Sequence, residues 1–171
     1  MREHYYIDGY NFLCSYYAQP VRGRTKRTLE EAREHLVNFL KEFSAISGCK
    51  VTVVFDGKKF MGEKDHRVPK ERESVRVIYA PPSSDADSTI ESLVYKELYK
   101  EKIYVVSSDA VLRQTCLGIG VLVMKPENFL KYSAQLLQSV QIHHKYNAPT
   151  VRVETPLSEK IRSVFEDIIS Q

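Results

Sequence analysis

Three apolar runs end on an aspartate: "YYIDG", "VVFDG" and "VVSSD" supply Asp8, Asp56 and Asp109. Two further acids, Asp85 and Asp87, stand in "SSDADSTIE", where a helix is expected to begin. In an open α/β sheet, ligands bind beyond the C-terminal ends of the strands, near a switch in strand order. Such a fold would bring all five acids towards one edge. Gathered carboxylates repel one another and resist joint ionisation. A hard divalent cation offsets that repulsion, and oxygen donors suit Mg2+ or Mn2+. Beside a phosphodiester, such an ion polarises the phosphoryl group, lowers the pKa of a bound water and neutralises developing charge. Each acid alone also has an ordinary reading as a helix cap or dipole partner. The conjunction of five is what points to a site.

Asn11 follows Asp8 by three residues, on the turn leaving the first strand. An amide there can orient a ligating carboxylate or donate to phosphate, or simply hold the loop as an Asx turn. Ser107 and Ser108 likewise could donate to phosphate or fix Asp109. No acyl-transfer triad accompanies them. "GIG" at 118–120 lacks the lysine and following hydroxyl residue of a phosphate-binding loop, which argues against ATP or NAD chemistry. Cys14, Cys49 and Cys116 are scattered, fitting neither a disulfide framework nor a zinc cluster. The five histidines show no ligand spacing, so no histidine grouping is expected to compete as a zinc site.

The elements that must position these residues alternate along the chain. Strands are expected at 4–8, 49–55, 74–80, 102–109 and 121–124. Leu29, Ala32, Leu36, Phe39, Leu40, Phe43 and Ile46 recur at helical spacing, with Thr28 as N-cap, Glu31 as its capping-box partner and Gly48 as the stop. Further helices are expected from about Asp85 to Tyr99, over 110–116 and over 126–141. Residues 9–28 read as loop with one helical turn, because Pro20 and Gly23 discourage regular structure. The 142–155 stretch is undecided, with "TVRVE" a possible edge strand, and a last helix covers about 156–170. One β-rich run per helix gives an α/β fold with a mostly parallel sheet covered on both faces.

The 171 residues are enough for one domain with a substantial core, and a single domain over 1–171 is expected. No apolar run is long enough to span a membrane and no signal peptide is apparent, so a cytoplasmic protein without membrane attachment is expected. The net charge is only +3, but it is unevenly spread. Arg22, Arg24, Lys26 and Arg27 cluster in one loop; Lys58, Lys59, Lys64, Arg67 and Arg72 lie in another. Solvated loops are the plain reading; beside clustered acids, contacts to a phosphate backbone are the other. Tyr10, Phe12, Tyr16 and Tyr17 crowd the first motif. Tyr10 or Tyr16 is the better candidate for stacking on an unpaired base, Phe12 for the core.

Together, "YYIDGYNFL", "TLEEAREHLVNFL", "VTVVFDG", "SDADSTIE" and "IYVVSSD" resemble the NYN branch of the PIN-like nucleases, and more narrowly its YacP-like group. The resemblance runs in order through about residues 4–140. It implies a three-layer α/β/α sandwich with a central, mostly parallel sheet. It also implies Mg2+- or Mn2+-dependent cleavage of single-stranded RNA by a metal-activated water, the group including ribosome-associated endoribonucleases that act on mRNA. Carried over by position, Asp8, Asp87 and Asp109 match metal-binding acids and Asn11 matches the asparagine of the aspartate-x-x-asparagine motif. Asp56 matches a more peripheral acid. Ser84 stands where many relatives have a carboxylate; Asp85 either shifts that charge by one residue or caps the helix. The implied catalytic set is therefore Asp8, Asn11, Asp87 and Asp109, with Asp56 and Asp85 as further metal candidates. Arg22, Arg24, Lys26, Arg27, Lys58, Lys59, Arg67, Tyr10 and Ser108 are the RNA candidates. The partners implied are RNA, in particular mRNA, and the ribosome; the oligomeric state is left open, with a monomer favoured. The loop before the third strand is longer than in the family. A catalytically inactive RNA- or ribosome-binding module is the main alternative, and a phosphatase or DNA nuclease the second.

Overall fold

The structure is a computed structural model, and it describes residues 2–17, 29–57, 75–81 and 83–147. In chain order the elements are β1 (Glu3–Asp8), α1 (Gly9–Tyr17), α2 (Leu29–Ser47), β2 (Lys50–Phe55), β3 (Val75–Tyr79), α3 (Ala86–Glu97), β4 (Lys102–Val106), α4 (Ala110–Gly118), β5 (Leu122–Met124) and α5 (Pro126–Asn147). All strand pairs are parallel, in the order β3-β2-β1-β4-β5. The order reverses between β1 and β4, the switch point at which an α/β sheet opens a crevice.

Side chains alternate across a strand, and here both faces are covered. Tyr5, Ile7, Val51, Val53 and Phe55 bury one face beneath α1, α2 and α5, where they meet Phe12, Leu36, Leu40, Phe43 and Phe129. Tyr6, Val54, Ile103 and Val105 bury the other against Ile90 and Val94 of α3 and Leu112 and Cys116 of α4. The sandwich therefore has the expected three layers. Aromatic edges lock the first core: Phe43 and Phe129 lie 4.9 Å apart and Tyr5 stacks on Tyr104 at 4.6 Å. Each such fully buried ring contributes roughly 1.5–3 kcal/mol by removal from water.

Several boundaries differ from the sequence reading. Residues 9–17 form a full helix, because Phe12 and Leu13 gain burial against the sheet and Pro20 acts only beyond it. The fourth strand stops at Val106, where Ser107-Ser108-Asp109 turns into α4. The helix expected over 126–141 continues to Asn147. Gly48 ends α2 with φ of +69° while its N–H returns to the Ser44 carbonyl at 2.9 Å, the left-handed stop that glycine permits. The Thr28 cap, the "TVRVE" strand and the helix at about 156–170 lie outside the described residues.

Candidate functional site

β1 ends on Asp8, and parallel pairing sets Ile7 against Val106 on β4. That register carries Ser107 and Ser108 past the strand end beside Asp8. Asp8 is buried, yet its carboxylate has local support. Its Oδ1 accepts the Asn11 backbone N–H at 3.1 Å, and the Asn11 side chain also donates to it. Asp8 thus closes the first turn of α1 as a cap would. The Asn11 amide oxygen in turn accepts the Ser108 hydroxyl. One asparagine therefore ties the end of β1 to the loop after β4.

Gly9 permits this tight exit from the strand. A Cβ at Gly9 would sit 2.3 Å from Cε1 of Phe55, a fully buried ring. The turn can press against β2 only without a side chain.

Asp109 caps α4, accepting the N–H groups of Val111 at 2.7 Å and Leu112 at 3.0 Å on Oδ1. Its own N–H donates to the buried Ser107 hydroxyl at 3.0 Å, and Arg113 donates to the Ser107 carbonyl at 2.8 Å. Asp85 caps α3 through the Ser88 N–H at 2.8 Å, and is exposed. It takes the structural role open to it after the Ser84 departure.

Asp87, the second residue of α3, does not cap it. Its Oδ1 is buried and has no hydrogen-bond partner. Its carboxyl pKa is pushed up to about 6, by burial first and then by the charges of Asp8, Asp109 and Asp85. Burial also raises the Asp8 carboxyl, against the hydrogen bonds from Asn11 and Asp87. A hydrogen bond between two carboxyls requires a proton, so the Asp8–Asp87 pair resists full ionisation. Asp56, half-buried after β2, is not among the leading charges felt by either partner.

Thus Asp8, Asp87 and Asp109 act on one another at the C-terminal edge, with Asn11 and Ser108 linked beside them, while Asp85 stands at the rim and Asp56 to one side. The donors are all oxygen, and a buried oxygen without a partner faces the group; this chemistry fits a hard divalent cation. Ser108 is exposed, as a group meeting a ligand must be. Tyr10 does not fit its proposed stacking role: it is 7% exposed and packs edge-on against Phe55 at 5.2 Å, because α1 turns it into the core. Arg22, Arg24, Lys26, Arg27, Lys58, Lys59, Lys64, Arg67 and Arg72 lie outside the described residues.

One grouping was not legible from spacing. His4, Glu97 and Glu101 place one ligand atom each within 4.8 Å of one another, a set able to hold a divalent metal ion. The expectation that no histidine grouping exists is thereby corrected. His4 meets acids from the end of α3 and the turn beyond it, one contact spanning 97 residues, which no local motif records.

Comparison with known proteins follows the same lines. A family described as the YacP-like NYN domain matches residues 5–170. The uncharacterised protein YacP of Bacillus subtilis is 25% identical over 166 residues, covering 94% of this chain and 92% of that one. A crystal structure of Rae1 (YacP) from Bacillus subtilis superposes with a TM-score of 0.62 at 25% identity, over 95% of this chain and 91% of the other. A crystal structure of a mutant of the same Bacillus subtilis protein gives a TM-score of 0.65 at 23% identity, over 98% of both chains.

Proposed function

The chain belongs to the YacP-like NYN family, and on that premise we propose that it is an endoribonuclease dependent on Mg2+ or Mn2+, a phosphodiester hydrolase of single-stranded RNA. The observation that carries the reading is Asp87. Asp87 sits in the first turn of α3, where the helix dipole favours an acid, but a buried carboxylate oxygen without a hydrogen-bond partner, beside two other acids and with its pKa pushed up to about 6, is more than that role requires. Perturbed acids of this kind cluster where chemistry is done.

In this reading Asp8, Asp87 and Asp109 would hold the ion, with Asp85 and Asp56 further out. When bound, the ion supplies phosphoryl polarisation and a water of lowered pKa. Asn11 holds the Asp8 carboxylate and the Ser108 hydroxyl in one arrangement. The N-termini of α1, α3 and α4 are capped by Asp8, Asp85 and Asp109, so their N–H groups serve these carboxylates. Ser108 would donate to a phosphate oxygen, and Arg22, Arg24, Lys26 and Arg27, followed by Lys58, Lys59 and Arg67, would hold the backbone beyond it. No protein nucleophile is needed.

The proposal extends to a single nuclease domain over 1–171, supported by the family match over 5–170. It extends also to mRNA as substrate, in a ribosome-associated and cytoplasmic setting. Among the described residues no helix is long and apolar enough to cross a membrane. The test is a panel of single-stranded RNA, duplex RNA and DNA incubated with purified protein and Mg2+ or Mn2+. Internal cleavage of RNA that stops with EDTA and in Asp87→Asn is expected. Cleavage that survives either treatment would overturn the site, and binding of RNA or ribosomes without turnover would favour an inactive module.

A further inference from the structure

We propose that His4, Glu97 and Glu101 form a second metal site, for a zinc-class transition-metal ion, at the opposite edge of the sheet from the candidate catalytic acids. His4 stands near the start of β1 and Asp8 closes it, so their backbone positions are about 13 Å apart at roughly 3.3 Å per residue. Nothing in the proposed nuclease chemistry uses this cluster.

The geometry is that of ligands around one ion. His4 Nδ1 lies 2.9 Å from Oε2 of Glu101 and 3.1 Å from Oε2 of Glu97. Donors that share a tetrahedral or octahedral ion at about 2.0–2.2 Å lie roughly 3.0–3.5 Å from each other. A single Nδ1 proton cannot satisfy two carboxylates fully, whereas a cation can.

The surrounding groups fix each ligand. The other ring nitrogen, Nε2, lies 2.8 Å from the buried Thr52 hydroxyl, and the ring stacks on Tyr6 at 4.3 Å. If Nε2 carries the proton and donates it to Thr52, the Nδ1 lone pair points at the carboxylates, the tautomer a metal requires. Tyr6 donates to Glu97 Oε2 at 2.6 Å, and Lys50 pairs with Oε1 of Glu101, leaving Oε2 for the ion. Burial lowers the His4 pKa in spite of its two acidic neighbours.

Position adds an independent argument. Glu97 is the last residue of α3 and Glu101 lies in the turn just beyond. The C-terminal end of a helix carries partial negative charge, so carboxylates there are disfavoured and a cation is favoured. One imidazole with two carboxylates suits Zn2+ better than Mg2+, which keeps to oxygen. A bound ion would tie the start of β1 to the end of α3, the helix whose other end carries Asp87.

The test uses full-length protein freed of metal by a chelator, with Asp8→Asn and Asp87→Asn removing the other candidate site. Zn2+ is titrated by calorimetry while the histidine ring nitrogens are followed by NMR. The expected result is binding of about one ion with the His4 Nδ1 resonance moving to a metal-bound position. Glu97→Gln and Glu101→Gln should each weaken binding at least tenfold, and Thr52→Val about tenfold through loss of ring orientation. Thermal melts of the metal-free variants check that they fold. A His4 resonance that stays in place at saturating Zn2+ would overturn the proposal, even if a carboxamide variant fails to fold. Unchanged affinity in both folded carboxamide variants would do the same.

Discussion

Asp8 and Asp109 each have a folding reason to be aspartate, since each accepts N–H groups at the start of a helix. Asp87 accepts no such N–H group on its buried Oδ1, and burial beside Asp8 and Asp109 penalises its charge. Its carboxyl pKa is raised from 3.8 to about 6. A raised folded-state pKa contributes stability that is present below the unfolded value and is lost as pH climbs through the folded one. Metal-free protein should therefore lose stability between about pH 4 and pH 6 on this account. Asp87→Asn should raise the metal-free melting temperature near neutral pH. Discounted for solvent screening at this half-buried group, the gain is about 1 kcal/mol, or roughly 2–4 °C in a chain of this size. The same variant should abolish RNA cleavage. Mn2+ should raise the melting temperature of the unsubstituted protein more at about pH 7.5 than at about pH 5, where protons compete for the carboxylates. Scanning fluorimetry across pH, with and without Mn2+, reads both effects; a lower melting temperature for metal-free Asp87→Asn would contradict this account. Asn11 acts through Asp8 rather than on substrate, so Asn11→Ala should weaken Mn2+ binding about 10–100-fold. Ser108→Ala should leave Mn2+ affinity nearer its original value while slowing cleavage, a split that calorimetry and initial rates would resolve.

At the level of elements, periodicity exposed most of what positions these residues. The β-branched run "VTVVF" and the 3.6-residue pattern of Leu36, Leu40 and Phe43 identify β2 and α2 because each element buries its own regular face. α1 was legible only as a single helical turn, for a physical reason. Its helix starts on the glycine of a strand end, and what decides it is long-range burial of Phe12 and Leu13 rather than local propensity. The acids were legible because each falls at a strand or helix boundary. The link from Asn11 to Ser108 and the grouping of His4 with Glu97 and Glu101 were not, since they exist only after the sheet pairs β1 with β4. Gly9 shows how closely this edge is built. Gly9→Ala would drive a methyl into Phe55 and should destabilise the protein by about 1–3 kcal/mol, as overpacking does. Denaturant melts should show Gly9→Ala with Phe55→Leu recovering part of that loss, because the smaller side chain vacates the contact. A double variant no better than the single one would place the strain in the backbone instead.

For the whole molecule, the strand order decides which segments share an edge with the acids. The C-terminal ends of β1 and β4 hold Asp8 and the Ser107–Asp109 turn, and the C-terminal end of β2 leads into the basic stretch from residue 58. The stretch from residue 18, which carries Arg22, Arg24, Lys26 and Arg27, follows α1, which itself departs from Asp8. A net charge of +3 is too small to attract RNA by itself, so in the proposed function the local concentration of basic residues in the sequence, at 22–27 and from 58, would provide the attraction. Phosphate contacts release condensed counterions, and for single strands the log–log slope of affinity against salt is about 0.7 per contact. Replacing Arg22, Arg24, Lys26 and Arg27 together by glutamine should flatten that slope by roughly 2–3 and weaken binding similarly for unrelated RNA sequences. Anisotropy of labelled single-stranded RNA, measured with EDTA so that cleavage does not intervene, gives the slope directly. The melting temperature, measured alongside, should stay close to that of the unsubstituted protein. A slope left unchanged would remove these four residues from the RNA path and leave the basic stretch beginning at Lys58 to provide the backbone contacts.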